Sequence, residues 1–203
     1  MAFDPNSAAN FLTPHLREDR KRGFLEELKN FPPKNLYVDS SDPEALQGDG
    51  WRGVTILNFD SGARDRIMGM VLSNSCDISG ANVRAVPLSI SFAPLVTVAR
   101  YEALLRTALN DEARVNNHLA DVKAQRVSSM FFLPDPGSLG GDSIAILDDV
   151  RTMPLARFAD DQERVRLFTL SDVGYWLFLF KLAYHFCRFH EGIDRSPSPE
   201  STH

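Results

Sequence analysis

The pattern of apolar and polar positions along this chain changes period several times. Trp51-Arg-Gly-Val-Thr-Ile-Leu-Asn-Phe59 is rich in β-branched and aromatic residues. Val54 and Ile56 alternate there with Thr55 and Leu57, and both sets are strand formers, which predicts a strand buried on both faces. Asp60-Ser-Gly-Ala-Arg64 reads as a loop, and Ile67 to Ser73 as a second strand, so the two pair as a hairpin. That second run, Met70-Val-Leu72, stops abruptly in Ser73-Asn-Ser-Cys-Asp77, which predicts a strand delivering a polar turn to the edge of the core. Val83 to Val98 is the longest β-like stretch, with Pro87 and Pro94 inside it. Proline cannot donate to a ladder, so this stretch predicts two strand pieces with a kink or crossover at Phe92-Ala-Pro94.

From Arg100 to Arg126 the period becomes helical. Tyr101, Leu104, Leu105 and Ala108 share one stripe, and Val115, Leu119 and Val122 another. Asn110-Asp111 divides the two helices, and the pair is expected to stand outside the core as an insertion. Strands resume at Met130–Leu133, Ser143–Leu147 and Arg164–Leu170. Ser171 then caps a helix running to His190, with Asp172 in its first turn. Apolar side chains occupy most of that helix's circumference, so it must be covered by the sheet or by a second subunit. Trp176 and Phe180 are the expected points of a self-contact, since two-fold homodimers are the commonest soluble oligomers.

Ahead of all this, Leu12, Leu16, Phe24, Leu25 and Leu28 form a broken helical stripe that Phe31-Pro-Pro33 ends, and Leu36-Tyr-Val38 reads as a short strand. The expected organisation is a helical lead over 1–34, a single domain over 35–192 and a mobile tail over 193–203. The expected fold class is α+β: a bent antiparallel sheet or SH3-like barrel, with inserted helices and a long C-terminal helix.

Composition narrows the setting. The 203 residues carry 22 Lys and Arg against 27 Asp and Glu, a net charge of -5, so no global basic field draws the chain to nucleic acid. Two cysteines far apart in sequence make no disulfide framework and suit a reducing, cytoplasmic compartment. The apolar run Tyr175–Phe180 meets Lys181 too soon to span a bilayer, so no membrane partner is expected. The first residues show no secretory pattern.

Chemistry-bearing residues are few. Cys76 beside Asp77 reads in two ways: a nucleophile that needs a histidine, His118 or His185, or a buried cysteine acting as a small apolar group while Asp77 bonds its own turn. In His185-Phe-Cys-Arg-Phe-His190, Cys187 and His190 share a helix face, but two ligands are too few for a structural zinc, so no metal is expected. Ser138-Leu-Gly-Gly141 lacks the Gly-Lys-Ser/Thr ending of a phosphate loop, and no cofactor is expected. Arg64, Arg66, Arg84, Arg164 and Arg166 would line one groove if the strands closed into a barrel, although the acids interleaved with them also fit a solvated surface.

The hairpin carries a resemblance. Gly53-Val-Thr-Ile-Leu-Asn-Phe-Asp60, Ser61-Gly62, Arg66 and Met70-Val-Leu-Ser73 resemble the opening of PemK/MazF-type proteins. These are small SH3-like barrels, many of them toxin endoribonucleases that cut single-stranded RNA. The resemblance implies a toxin or phage-defence setting and a phosphate-handling role for Arg66. It departs from the family at Ile67, where a proline is expected, and at Asp60, which follows Phe59 rather than preceding it. The Cys-Asp-Ile78 turn, with Ala93-Pro-Leu95 after it, is also similar to one found in uncharacterised bacterial proteins. Three functions stay open: an interaction module with a protein partner, a ribonuclease with Arg64, Arg66 and Arg84 on RNA, and a cysteine-dependent hydrolase using Cys76 and Asp77.

Overall fold

The computed structural model describes residues 35–58, 61–82 and 85–187. The expected N-terminal lead, the tail and Arg84 lie outside the described residues. The described chain is α+β, with a curled antiparallel half-barrel sheet and five helices. The strands are β1 Tyr37–Val38, β2 Gly50–Leu57, β3 Arg64–Val71, β4 Ser89–Thr97, β5 Met130–Leu133, β6 Ser143–Ile146, β7 Arg151–Pro154 and β8 Val165–Leu170. Their order is β1-β8-β2-β3-β4-β6-β5, and β7 joins the side of β4. The helices are α1 Ser75–Ile78, α2 Val98–Leu109, α3 Glu112–Lys123, α4 Leu155–Asp160 and α5 Asp172–Phe186.

The hairpin forms as its alternation predicts, with one correction. β3 starts at Arg64, not Ile67, because Arg64 pairs with Leu57 and Arg66 with Thr55. Both arginines are therefore strand residues with a fixed facing rather than members of a loop. A bulge at Gly53, in the left-handed region at φ 96°, adds one residue to β2 and sharpens the local bend. Gly50 is required for a different reason: a Cβ there would sit 2.2 Å from the Phe168 ring of β8.

The proline-containing stretch is a single strand, not two. β4 pairs with β3 at Phe92–Pro94, while on its other edge it pairs with β7 over Ser89–Phe92 and with β6 over Leu95–Thr97. Pro94 falls where one neighbour has ended and the next begins, the place where a missing N–H costs least. The expected crossover is thus a change of partner along a continuous strand.

The helical hairpin is divided at Asn110 and Asp111, as expected. Asn110 ends α2 in the left-handed conformation at φ 46°, and the Asp111 carboxylate accepts from Arg114 N at 3.1 Å to start α3. It is not an excluded insertion. Val115, Leu119 and Val122 pack on Phe132 and Ile144 and cover that end of the sheet. A second cluster joins Trp51, Val54, Ile90, Phe92 and Phe158.

The largest cluster lies between the sheet and α5, where Leu177, Phe178 and Phe180 meet Met70, Phe131 and Phe168. Ser171 caps α5 by accepting from Gly174 N at 3.2 Å, and its hydroxyl donates to Asn35 O at 2.5 Å. Gly174 lets the helix close on β1, since a Cβ there would lie 2.5 Å from Leu36 O. Phe180, expected at a self-contact, is only 6% exposed within its own chain. Trp176 is half-buried against the same cluster. The stretch from 188 to His190 lies outside the described residues. Among the described residues, no helix is long and apolar enough to cross a membrane.

Two charged residues are buried with different partners. Asp49 is fully buried and lies 3.1 Å from the Arg166 guanidinium, which also donates to Asp42 O at 2.6 Å and to Glu44 O. Burial pushes the Asp49 carboxyl above the usual range, and the Leu46 N–H and Arg166 pull it back. Removing Arg166 strands an uncompensated buried carboxylate. We expect Arg166→Ala to cost on the order of 3 kcal/mol in urea unfolding. Adding Asp49→Ala should recover part of that loss, and strictly additive losses would refute the pairing.

Lys181 on α5 is 1% exposed, and its amine donates to Gln125 O at 2.8 Å and Val127 O at 2.5 Å. Burial pushes its pKa down to about 7 from an ordinary 10.5. The unfolded chain therefore binds more protons than the folded one between those values, so this group adds stability as pH rises through that window. Lys181→Met should abolish that contribution. Melting curves from pH 7 to 10 should move in the wild type's favour relative to the variant, and parallel pH dependences would refute the assignment.

Candidate functional site

The polar turn after β3 proves to be a set of backbone ties. Asn74 caps α1 by accepting from Cys76 N at 2.9 Å. Ser75 Oγ accepts from Gln47 N at 2.8 Å, Ser73 Oγ from Ser91 N at 2.8 Å, and Asn82 donates to Cys76 O. Gln47 closes the circuit by donating to Leu72 O at 2.8 Å and accepting from the Tyr175 hydroxyl at 3.1 Å. The turn thus fastens the 44–49 loop, β4 and α5 to one another.

Cys76 is exposed, which corrects the expectation of a buried apolar cysteine; Asp77 is exposed as well. Asn74, Cys76 and Asp77 face solvent, and only Ile78 of α1 reaches the core. Tyr175 lies near Cys76 and is held above the usual phenol range, first by burial and then by that thiol. Among the described residues, no histidine is hydrogen-bonded to Cys76. His118 pairs with the Tyr101 hydroxyl at 2.9 Å on the helical hairpin, and the His185 ring lies 4.7 Å from that of Phe186 on α5. The geometry of a base-activated thiolate is not assembled.

The second place is a groove of about 600 Å³ between the far end of the β2–β3 hairpin and the β7–α4 corner. Cross-strand pairing puts Thr55 beside Arg66 and Leu57 beside Arg64, and all four line the groove. Ile56, Met153 and Pro154 add apolar surface, and Arg157, Asp160 and Asp161 complete the charged part.

Arg66 is already engaged. It donates to Asp161 Oδ2 at 2.6 Å and to Glu163 Oε2 at 2.7 Å. The Glu163 N–H, donating to Asp161 Oδ1 at 2.9 Å, and then Arg66 hold Asp161 below the usual carboxylate range. Arg64 and Arg157 make no hydrogen bond or ion pair with a described residue. Among the described residues, no group of three or more His, Cys, Asp or Glu side chains is placed to hold a metal ion.

The structure redistributes the basic residues read from sequence. Arg164 lies over the Phe158 ring at 4.8 Å and the Trp51 ring at 5.4 Å, and donates to Phe158 O at 2.7 Å. Arg166 serves Asp49 and the 42–44 backbone. Neither lines the groove. Its third arginine, Arg157, belongs to α4, a helix that the sequence pattern does not reveal. Fold and site together define an α+β protein with a curled sheet and an arginine-lined groove at one end. Comparison with protein-family models, curated proteins and solved structures finds no match.

Arg66 and Glu163 are exposed and Asp161 is half-buried, so solvent and salt screen these pairs in part and they add little to stability. Arg66→Ala is expected to lower the urea midpoint only slightly, and 1 M salt should shrink the difference. A gap that salt leaves unchanged would mean that Arg66 supports the fold through packing instead.

Proposed function

We propose that this chain is an interaction module that holds an anionic, partly apolar partner in the Arg64–Arg157 groove and performs no catalysis of its own. The observation that carries this reading is the state of the three groove arginines. Arg66, the residue the PemK-like resemblance would assign to phosphate chemistry, has both guanidinium arms closed by Asp161 and Glu163. An arginine that stabilises developing charge must be free to meet it in the transition state. Arg64 and Arg157 have no such carboxylate among the described residues, and Leu57 beside Arg64 is 48% exposed. Cations without a carboxylate partner among the described residues, next to exposed apolar surface, suit recognition.

In this reading the curled sheet is an SH3-like barrel elaborated by the helical hairpin and α5. The ribonuclease is the second reading, favoured by the position of Arg66 on a groove face next to Arg64. The test is incubation of purified protein with a mixed single-stranded RNA pool, beside Arg66→Ala. No cleavage by either protein is expected. Cleavage by wild type that disappears in the variant would overturn the module and make the chain a nuclease.

A further inference from the structure

The C-terminal helix keeps an apolar stripe on the side turned away from the sheet. A helix turns about 100° per residue, which puts Gly174, Leu177, Phe178 and Lys181 on one side of α5, and all four are buried. Trp176, Leu179, Ala183 and Phe186 stand on the opposite side. Trp176 and Leu179 are half-buried, Ala183 is exposed and Phe186 is 54% exposed. The stripe runs about 15 Å along the helix at the ordinary rise. A helix that is apolar on both sides has to be covered on both.

The chain itself delivers a cover to that place. Residues 1–34 lie outside the described residues, and the chain enters the described fold at Asn35, whose carbonyl accepts from the Ser171 hydroxyl at 2.5 Å. Ser171 N–H donates to Leu36 O at 2.9 Å and strengthens the tie. The N-terminal lead therefore departs from the first turn of α5, at one end of the stripe. Phe24, Leu28 and Phe31 recur in it at helical spacing. The four residues from Phe31 to Asn35 reach at most about 14 Å, enough to bring Phe31 to the Trp176 end. Running back along α5, the lead would carry Arg17-Glu-Asp-Arg-Lys-Arg22 to the C-terminal end of the helix, where the dipole favours positive charge. The C-terminal residues 188–203 suit the stripe less, since Phe189 and Ile193 are their large apolar residues. A second copy is also disfavoured, because a segment tethered at Asn35 meets the stripe at an effective concentration on the order of millimolar.

We propose that the N-terminal lead docks within its own chain on the outer stripe of α5, with Phe24, Leu28 and Phe31 laid over Trp176, Leu179, Ala183 and Phe186. The helix is then packed on both sides, by the sheet on one and by the lead on the other. No residue of α5 lines the arginine groove, so this surface is independent of partner binding there.

The test is hydrogen exchange of the full chain read by mass spectrometry, beside an Ala183→Glu variant and sedimentation at two protein concentrations. Ala183 is exposed, so the substitution puts a charge on the stripe without entering the core. In the wild type the amides of 24–31 should exchange about tenfold or more slowly than in an unstructured chain, the protection of a docked segment. Ala183→Glu should remove that protection while the β2 and β3 amides keep theirs. In turn, Phe24→Ala/Leu28→Ala should raise acrylamide quenching of Trp176 fluorescence. In a Trp176→Phe background the same pair should leave the remaining signal unchanged, since Trp51 is 5% exposed in a different cluster. Unprotected 24–31 amides in the wild type, or protection that survives Ala183→Glu, would overturn the docking. Should Ala183→Glu unfold the chain, the quenching pair decides, and unchanged Trp176 quenching would overturn it. Protection lost on dilution together with a sedimenting dimer would also overturn it and make a second copy the cover.

Discussion

The buried ion pair between Asp49 and Arg166 is the interaction on which most of the fold depends. Arg166 comes from β8 and Asp49 from the residue before β2, so the pair fixes one strand against the other. Arg166 also collects the carbonyls of Asp42 and Glu44, which folds the 42–49 loop over the end of the sheet. That loop supplies Gln47 to the polar turn and to Tyr175 of α5. The guanidinium lies 4.8 Å from the centre of the Trp51 ring, where aromatic and ionic contact reinforce each other. The Thr169 hydroxyl and the Trp51 indole N–H lie beside the same carboxylate and help to hold its charge against burial. A buried pair of this kind gives little net stability but penalises every arrangement that separates its members.

A second constraint acts at Pro94. A strand of nine residues serves three neighbours because its ladder on one side changes owner at the residue that has no N–H. One consequence is that the β5–β6 pair and its covering helices α2 and α3 swing away from β3. The other is that β3 loses its outer partner below Gly69. Among the described residues, the missing outer partner of Arg64–Met68 is thus a product of one local decision in the middle of β4.

What was legible in the sequence follows from how local each signal is. The β2–β3 hairpin, the Asn110-Asp111 division and the Ser171 cap depend on residues a few positions apart, and each lies where the pattern put it, except that β3 begins three residues earlier, at Arg64. β7 and α4 were not legible. Arg151-Thr-Met-Pro154 buries only Met153, and α4 buries only Phe158, so neither shows a period. Their ends are set by β4 and by Trp51, residues distant in sequence. For the same reason Arg157 was missed as a groove residue, while Arg164 and Arg166 were assigned to a groove when they serve buried partners. Alternation placed both on the wet face of a strand; it carried no information about the indole and the carboxylate waiting on that face.

The three outward arginines of the groove show why residue type alone does not separate binding from chemistry. Arg64 and Arg66 are two positions apart on the same face of the same strand, so local structure treats them alike. What differs is the partner that the chain returns from far away: Asp161 and Glu163 follow α4 and close on Arg66, while nothing described closes on Arg64. A guanidinium between two carboxylates contributes little positive potential to an approaching anion, and freeing it would cost both pairs. The net positive character of the groove therefore rests on Arg64 and Arg157, at opposite walls and next to apolar side chains. Two separated cations suit an extended ligand with spaced carboxylates better than a single phosphate, which needs its donors converging on one point.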